Sequence, residues 1–112
     1  MAFELASNQR AFLRSMANRL KATVWIGKQG LSEQVVAAVD AALDTEELLK
    51  IKILEASPLT RREIAPRLAE ALGCAIVQGI GRVMVVYRPG KKERRIRLPE
   101  PSVKKADPEP KS

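Results

Sequence analysis

Histidine is absent from the 112 residues of this chain. That absence removes the side chain most often used as general base, as metal ligand and as member of a nucleophilic triad. One cysteine, Cys74, excludes an internal disulfide and a cysteine-rich zinc site. Lying between Gly73 and an apolar run, it reads as a buried thiol, and a reducing, cytoplasmic setting suits it. Aromatics supply only 4% of the chain: Phe3, Phe12, Trp25 and Tyr87. The core must therefore be built from Leu, Ile, Val and Ala, with Trp25 and Tyr87 expected inside it. No apolar stretch approaches the roughly 20 residues of a bilayer span, and no signal-type apolar segment stands near the N-terminus. Residues 3–21 are Arg-rich and poor in acids, as transit peptides are, but they read better as the first helix of a fold.

What is present is a basic aliphatic domain. Hydrophobic residues make up 46% of the sequence, enough to build one core, and the length allows no second. Net charge is +7, which calls for a polyanionic partner: nucleic acid, an acidic protein or an anionic membrane. The charge is unevenly spread. Residues 10–28 hold five basic residues and no acid, and residues 82–97 hold seven bases against one acid. Residues 33–70 hold eight acids against five bases, so the middle is mildly acidic.

Periodicity gives the elements. Ser7 or Asn8 can cap a helix reaching to about Leu20, with Phe12, Leu13, Met16 and Leu20 as its apolar face. Arg10, Arg14 and Lys21 then gather on the opposite side. Residues 23–26 form a short β-type run, and Ser32 caps a second helix to about Leu43 with Val35, Val36, Val39 and Leu43 inward. Residues 48–54 alternate Lys50 and Lys52 with apolar neighbours, as a strand with one polar face does. Thr60 and Glu63 have capping-box spacing for a third helix ending at Gly73. Pro66 should kink that helix or delay its start. Residues 75–80 and 83–88 make a hairpin around a Gly-X turn at Gly81-Arg82. A basic arm follows over 91–97, and a proline-rich tail from Pro99 onward is expected to be disordered. The order α-β-α-β-α-β-β implies an α/β, two-layer domain with a four-stranded mixed sheet.

One motif stands out. Gly27-Lys28-Gln29-Gly30 lies between a strand and a capped helix. Glycine allows close backbone approach to a ligand, and a helix N-terminus offers free N–H groups and the positive end of its dipole to phosphate. Such a GxxG loop is how KH modules clamp a nucleic-acid backbone. Two glycines at this spacing also occur in plain turns. The loop lacks the third glycine of a dinucleotide fingerprint and the Gly-Lys-Ser/Thr of a Walker motif. The pairs Asp40/Asp44 and Glu46/Glu47 have no acid–base partner and read as solvated surface. No catalytic residue, metal or cofactor is expected.

Several segments together resemble the CRM family (chloroplast RNA splicing and ribosome maturation) in its stand-alone bacterial YhbY form. They are Gln9-Arg10 and Leu13-Arg14, residues 24–31, Ala42-Leu43, residues 47–52, residues 77–82 and residues 86–89. The resemblance covers residues about 5–98. It implies a fold similar to the C-terminal domain of translation initiation factor 3; separately, a non-enzymatic protein acting as a monomer is expected. The implied role is association with ribosomal RNA and precursors of the large ribosomal subunit. Carried over by position, Gly27, Lys28, Gln29 and Gly30 become the RNA-contact loop. Arg10, Arg14, Lys21, Arg82, Arg88, Lys91, Lys92, Arg94 and Arg95 are the basic groups expected around it. Three departures stand beside the match: Glu46 where histidine is common, Gly79 where a larger apolar residue is usual, and Pro66. Alternatives left open are docking on an acidic protein and general binding to other RNA or DNA.

Overall fold

A computed structural model describes residues 5–90 and 95–101. Its elements run α1 (Ser7–Ala17), β1 (Val24–Ile26), α2 (Glu33–Glu46), β2 (Leu48–Ile53), α3 (Arg61–Leu72), β3 (Ala75–Ile80) and β4 (Val83–Tyr87). The four strands form one sheet in the order β1-β2-β4-β3. β1 and β2 are parallel; β2–β4 and β4–β3 are antiparallel. The mixed sheet is as expected. The helices, however, occupy both of its faces, so the domain has three layers and not two.

Alternation along the strands decides which core each residue joins. Val24, Ile26, Leu49, Ile51, Ile53, Met84 and Val86 pack with Val39 and Leu43 of α2, Ile64 and Leu68 of α3, and Cys74. Leu48, Val77, Val85 and Tyr87 point the other way and pack with Leu13 and Ala17 of α1 and with Ile96. The second cluster is smaller and covers only part of its face.

Local signals account for most helix ends. Ser32 Oγ accepts from Val35 N (3.2 Å). Thr60 and Glu63 form the predicted box, with Glu63 Oε1 accepting from Thr60 N (2.8 Å) and Thr60 Oγ1 from Glu63 N (3.3 Å). Gly73 closes α3 at φ +65°. Pro66 neither splits nor delays α3, which is continuous from Arg61. Its missing N–H faces the carbonyl of the exposed Arg62 in the first turn, where water can substitute. In the hairpin, Gly81 takes φ +57° between the paired Ile80 and Val83. A Cβ on Gly79 would meet the Arg61 guanidinium, whose Nε donates to Gly81 O (2.9 Å); the small residue leaves room for that side chain.

α1 departs most from expectation. It starts after Ala6, whose N–H donates to Gln9 Oε1 (3.0 Å), and neither Ser7 nor Asn8 caps it. It ends at Ala17, so Leu20 is not on the helix. Leu13 and Ala17 are buried, whereas Phe12, Met16 and Leu20 are each more than one-third exposed. The helix is rotated because Arg10 faces the sheet, where its Nη1 donates to Ile76 O and Val77 O at the irregularity in β3. The basic stripe therefore flanks the core instead of opposing it.

Candidate nucleic-acid interface

The connections at one pole of the sheet converge. β1 and β2 are parallel, so the loops leaving them lie side by side, and the β3–β4 turn reaches the same end because β4 runs against β2. Leu54 N donates to Ile26 O (2.8 Å) and Ile53 N to Arg82 O (2.7 Å), tying the three together. Within the GxxG loop Gly30 N donates to Gly27 O (2.9 Å), and Lys28 and Gln29 project into solvent between them.

The two glycines are not equivalent. Gly30 is buried at φ +63°, and a Cβ there would lie 3.3 Å from Pro58 Cγ. Gly27 has no positive φ, and its Cβ would sit 3.5 Å from Leu54 Cδ1, an ordinary contact. Gly30→Ala is expected to cost about 1–2 kcal/mol of stability. Gly27→Ala should cost under about 0.5 kcal/mol. Urea denaturation checks this; equal losses would remove the distinction.

Charge is separated by the sheet. α1 and all four strands contain no acidic residue, and their only charges are Arg10, Arg14, Lys50 and Lys52. Lys50 and Lys52 point to the α1 side, away from Ile51 and Ile53. α2, on the far side, carries Glu33, Asp40, Asp44 and Glu46 and no base, and α3 beside it carries Arg61, Arg62 and Arg67 against Glu63 and Glu70, so that side stays net acidic. Arg14, one turn beyond Arg10, is exposed, as are Lys21, Lys28 and Arg82. These groups, with Gln29, form a basic face running from α1 to the GxxG pole.

Arg88 does not belong to it. Its guanidinium donates to Asp40 Oδ1 (2.8 Å), Asp44 Oδ1 (2.8 Å), Leu72 O (2.9 Å) and Asp40 O (3.0 Å), joining the end of β4 to α2 and α3. These ties commit Arg88, expected as an RNA contact, to the fold, and they give Asp40 and Asp44, expected as solvated surface, a structural part. Four acceptors arranged around one planar fork explain both. Arg10, half-buried on β3 carbonyls, likewise spends its donors inside the fold.

Glu47 was also expected at the surface, and it is completely buried. Its carboxylate accepts from Gly90 N (2.9 Å), Arg95 N (2.8 Å) and Ile96 N (2.9 Å). Burial is the strongest single influence on this acid and acts to raise its pKa. The three N–H donors and the Arg95 charge together outweigh it and hold the pKa below the ordinary value. Glu47 thus fastens the chain on both sides of the basic arm. Lys91, Lys92 and Arg94 lie outside the described residues; Arg95 is exposed. The arm's anchor sits at the start of β2 and the GxxG pole at its end, separated by six strand residues, or about 20 Å. Pro99 and Glu100, assigned by composition to the disordered tail, accept from Gln9 Nε2 (3.0 Å) and Asn8 Nδ2 (2.6 Å). Most of the rest of that tail, residues 102–112, lies outside the described residues.

Among the described residues no group of three or more Asp, Glu, Cys or His side chains could hold a metal ion. Cys74 is buried, and burial pushes its thiol pKa up, partly opposed by the Arg88 charge, which leaves it a poor nucleophile. No helix of the described residues is long and apolar enough to cross a membrane.

Fold and site define a small α/β module with a glycine loop at one pole and a basic face on the α1 side of its sheet. The chain belongs to the CRS1/YhbY (CRM) domain family, which it matches over residues 5–88. A Haemophilus influenzae protein named as RNA-binding is 37% identical over 95 residues, covering 85% of this chain and 95% of the relative. A Bacillus subtilis protein named "Probable RNA-binding protein YqeI" is 30% identical over 95 residues, covering 85% of this chain and 99% of the relative. The solution structure of the hypothetical protein SAV1595 from Staphylococcus aureus superposes with a TM-score of 0.72 at 34% identity, over 86% of this chain and all of that one.

Proposed function

We propose that this chain binds structured RNA through the α1 side of its sheet and the GxxG pole, and that its target is ribosomal RNA during assembly of the large subunit. The observation that carries the reading is the charge separation. A face with bases on helix, strands and loops, and no acid on α1 or any strand, suits phosphate contacts and repels little of a polyanion. The family membership and the names of the relatives support RNA over DNA. The large subunit as destination comes from the family resemblance, as does kinship of fold with the C-terminal domain of translation initiation factor 3. In this reading residues 5–98 are the working unit, acting as a monomer in the cytoplasm.

The test is sedimentation of the tagged protein from a low-salt lysate, with and without RNase. Co-migration with large-subunit precursors that is lost on RNase treatment is the expected result. Migration at the top of the gradient in both samples would remove the ribosomal target. Binding that survives RNase would indicate an acidic protein partner instead. With pure components, the logarithm of affinity should fall linearly with the logarithm of salt concentration; an affinity indifferent to salt would sink the phosphate-contact reading.

A further inference from the structure

The α1 face of the sheet is only half covered. α1 and Ile96 pack over Leu48, Val77, Val85 and Tyr87. Toward the GxxG pole the same face carries a row set by strand register: Trp25 on β1 pairs with Lys52 on β2, Lys52 with Val83 on β4, and Val83 with Ile80 on β3. Trp25 is 53% exposed and Ile80 64%, the most exposed large hydrophobics among the described residues, and Lys52 is exposed between them. Adjacent strands are about 4.8 Å apart, so the row is about 14 Å long. The sequence had suggested that Trp25 belongs in the core. Its neighbours Val24 and Ile26 are there, but the strand's alternation turns the indole outward onto the uncovered half.

Beyond the phosphate contacts, the geometry points to a second kind of contact on this row: unpaired bases of single-stranded RNA, one stacked on the Trp25 indole and another resting on Val83 and Ile80. The inference builds on the RNA-binding reading above and adds a preference within it. The occupant is fixed by what surrounds the apolar groups. Lys52 lies between them, Lys50 is two residues back on the same face, and Lys28 follows three residues after Trp25. No strand residue supplies an acid. An apolar protein surface would leave those ammonium groups without counterions, whereas a single-stranded nucleic acid brings a flat apolar base and a phosphate with each nucleotide. A duplex buries its bases and has none to offer. The row is also continuous with the GxxG loop, since Trp25 and Gly27 are separated by one residue.

Trp25 is the only tryptophan in the chain, so indole emission reports on this one position. The experiment titrates the full chain with a short oligoadenylate and with a blunt-ended RNA duplex, following both indole emission and the anisotropy of labelled RNA. For the oligoadenylate we expect quenching that saturates together with the anisotropy change. Trp25→Leu, which keeps apolar bulk without a ring, should weaken oligoadenylate binding by about tenfold, while Trp25→Phe keeps most of it. Duplex affinity should change less than about twofold in either variant, since only phosphate contacts hold it. Oligoadenylate bound equally well by Trp25→Leu, with wild-type emission unmoved at saturation, would overturn the stacking row while leaving RNA binding in place. Failure of the wild-type chain to bind either RNA would remove the RNA reading and the row with it. A wild-type dimer that Trp25→Leu dissolves, with RNA affinity unchanged, would assign the row to self-association and overturn the proposal. Should Trp25→Leu fail to fold, wild-type quenching and Trp25→Phe still decide.

Discussion

Glu47→Ala is expected to lower the free energy of unfolding by about 3 kcal/mol, since hydrogen bonds to a charged acceptor are worth about 1.5–3 kcal/mol each and three are lost together. The loss stays below the full sum of the three because the segment around Gly90, Arg95 and Ile96 can peel off and let water satisfy its N–H groups. Even so, the loss is a large part of the 5–15 kcal/mol typical of a domain. Glu47 also sits at φ +66°, the only non-glycine residue with positive φ among the described residues. That backbone costs about 1–3 kcal/mol in the native state. Two further variants separate anchoring from strain. Glu47→Gln keeps the size but only one acceptor oxygen, and it should recover part of the loss. Glu47→Gly relieves the backbone but has no carboxylate, and it should remain well below wild type. Denaturant titration ranks the variants, and hydrogen exchange at residues 90, 95 and 96 locates the effect. If Glu47→Ala matched wild type in both, the carboxylate would not be what holds this segment.

The same carboxylate gives a pH dependence with a fixed sign. Its folded pKa lies below its unfolded value, so its contribution is fully present above the unfolded pKa of about 4.3 and is lost as pH falls through the folded value. Wild type should therefore lose stability on acidification below about pH 4 more steeply than Glu47→Gln does.

The second large effect concerns affinity. Lys28→Glu should weaken RNA binding by about tenfold, and Lys28→Glu with Lys52→Glu by 100-fold or more, because each reversal removes one phosphate contact and adds a repulsion. Both side chains are exposed and make no hydrogen bond or ion pair that the fold uses, so thermal midpoints should move little. The slope of log affinity against log salt should shrink by about one for each contact removed. Arg88→Gln makes the control: it breaks the ties to Asp40 and Asp44, so it should lower stability and leave the affinity of the folded fraction unchanged. Folded charge-reversal variants that bind as wild type would take the GxxG pole out of the interface.

Much of this architecture could be read from the residues. Periodicity and caps located every element within a few positions, because capping and alternation are local properties that Thr60, Glu63, Ser32 and Gly73 carry in their own side chains. Apart from the ends of α1 and the effect of Pro66, the failures were tertiary. Glu47 and Arg88 read as surface charges because the N–H groups that hold Glu47 and the carboxylates that hold Arg88 lie more than 40 positions away in the chain. α1 was given the wrong inward face because a pattern of apolar spacing cannot know that Arg10 will turn to the β3 carbonyls. Trp25 was assigned to the core on composition, although Lys50 and Lys52, alternating on β2 beside it, already marked that side of the sheet as open. The GxxG loop was legible as a motif. That only Gly30 needs to be glycine was not, since the need comes from its positive φ and from Pro58 across the neighbouring loop.

α1 and the strands carry bases and no acid, while α2 on the opposite face of the sheet carries four acids and no base, which gives these elements an electric moment across the sheet. A polyanion drifting within a Debye length, about 8 Å in physiological salt, exerts a torque on the domain before any contact forms. The protein turns its α1 side forward, and collisions on the α2 side are discouraged. Encounters are thereby sorted by orientation while still in solution, so added salt slows arrival at the target more than it hastens departure.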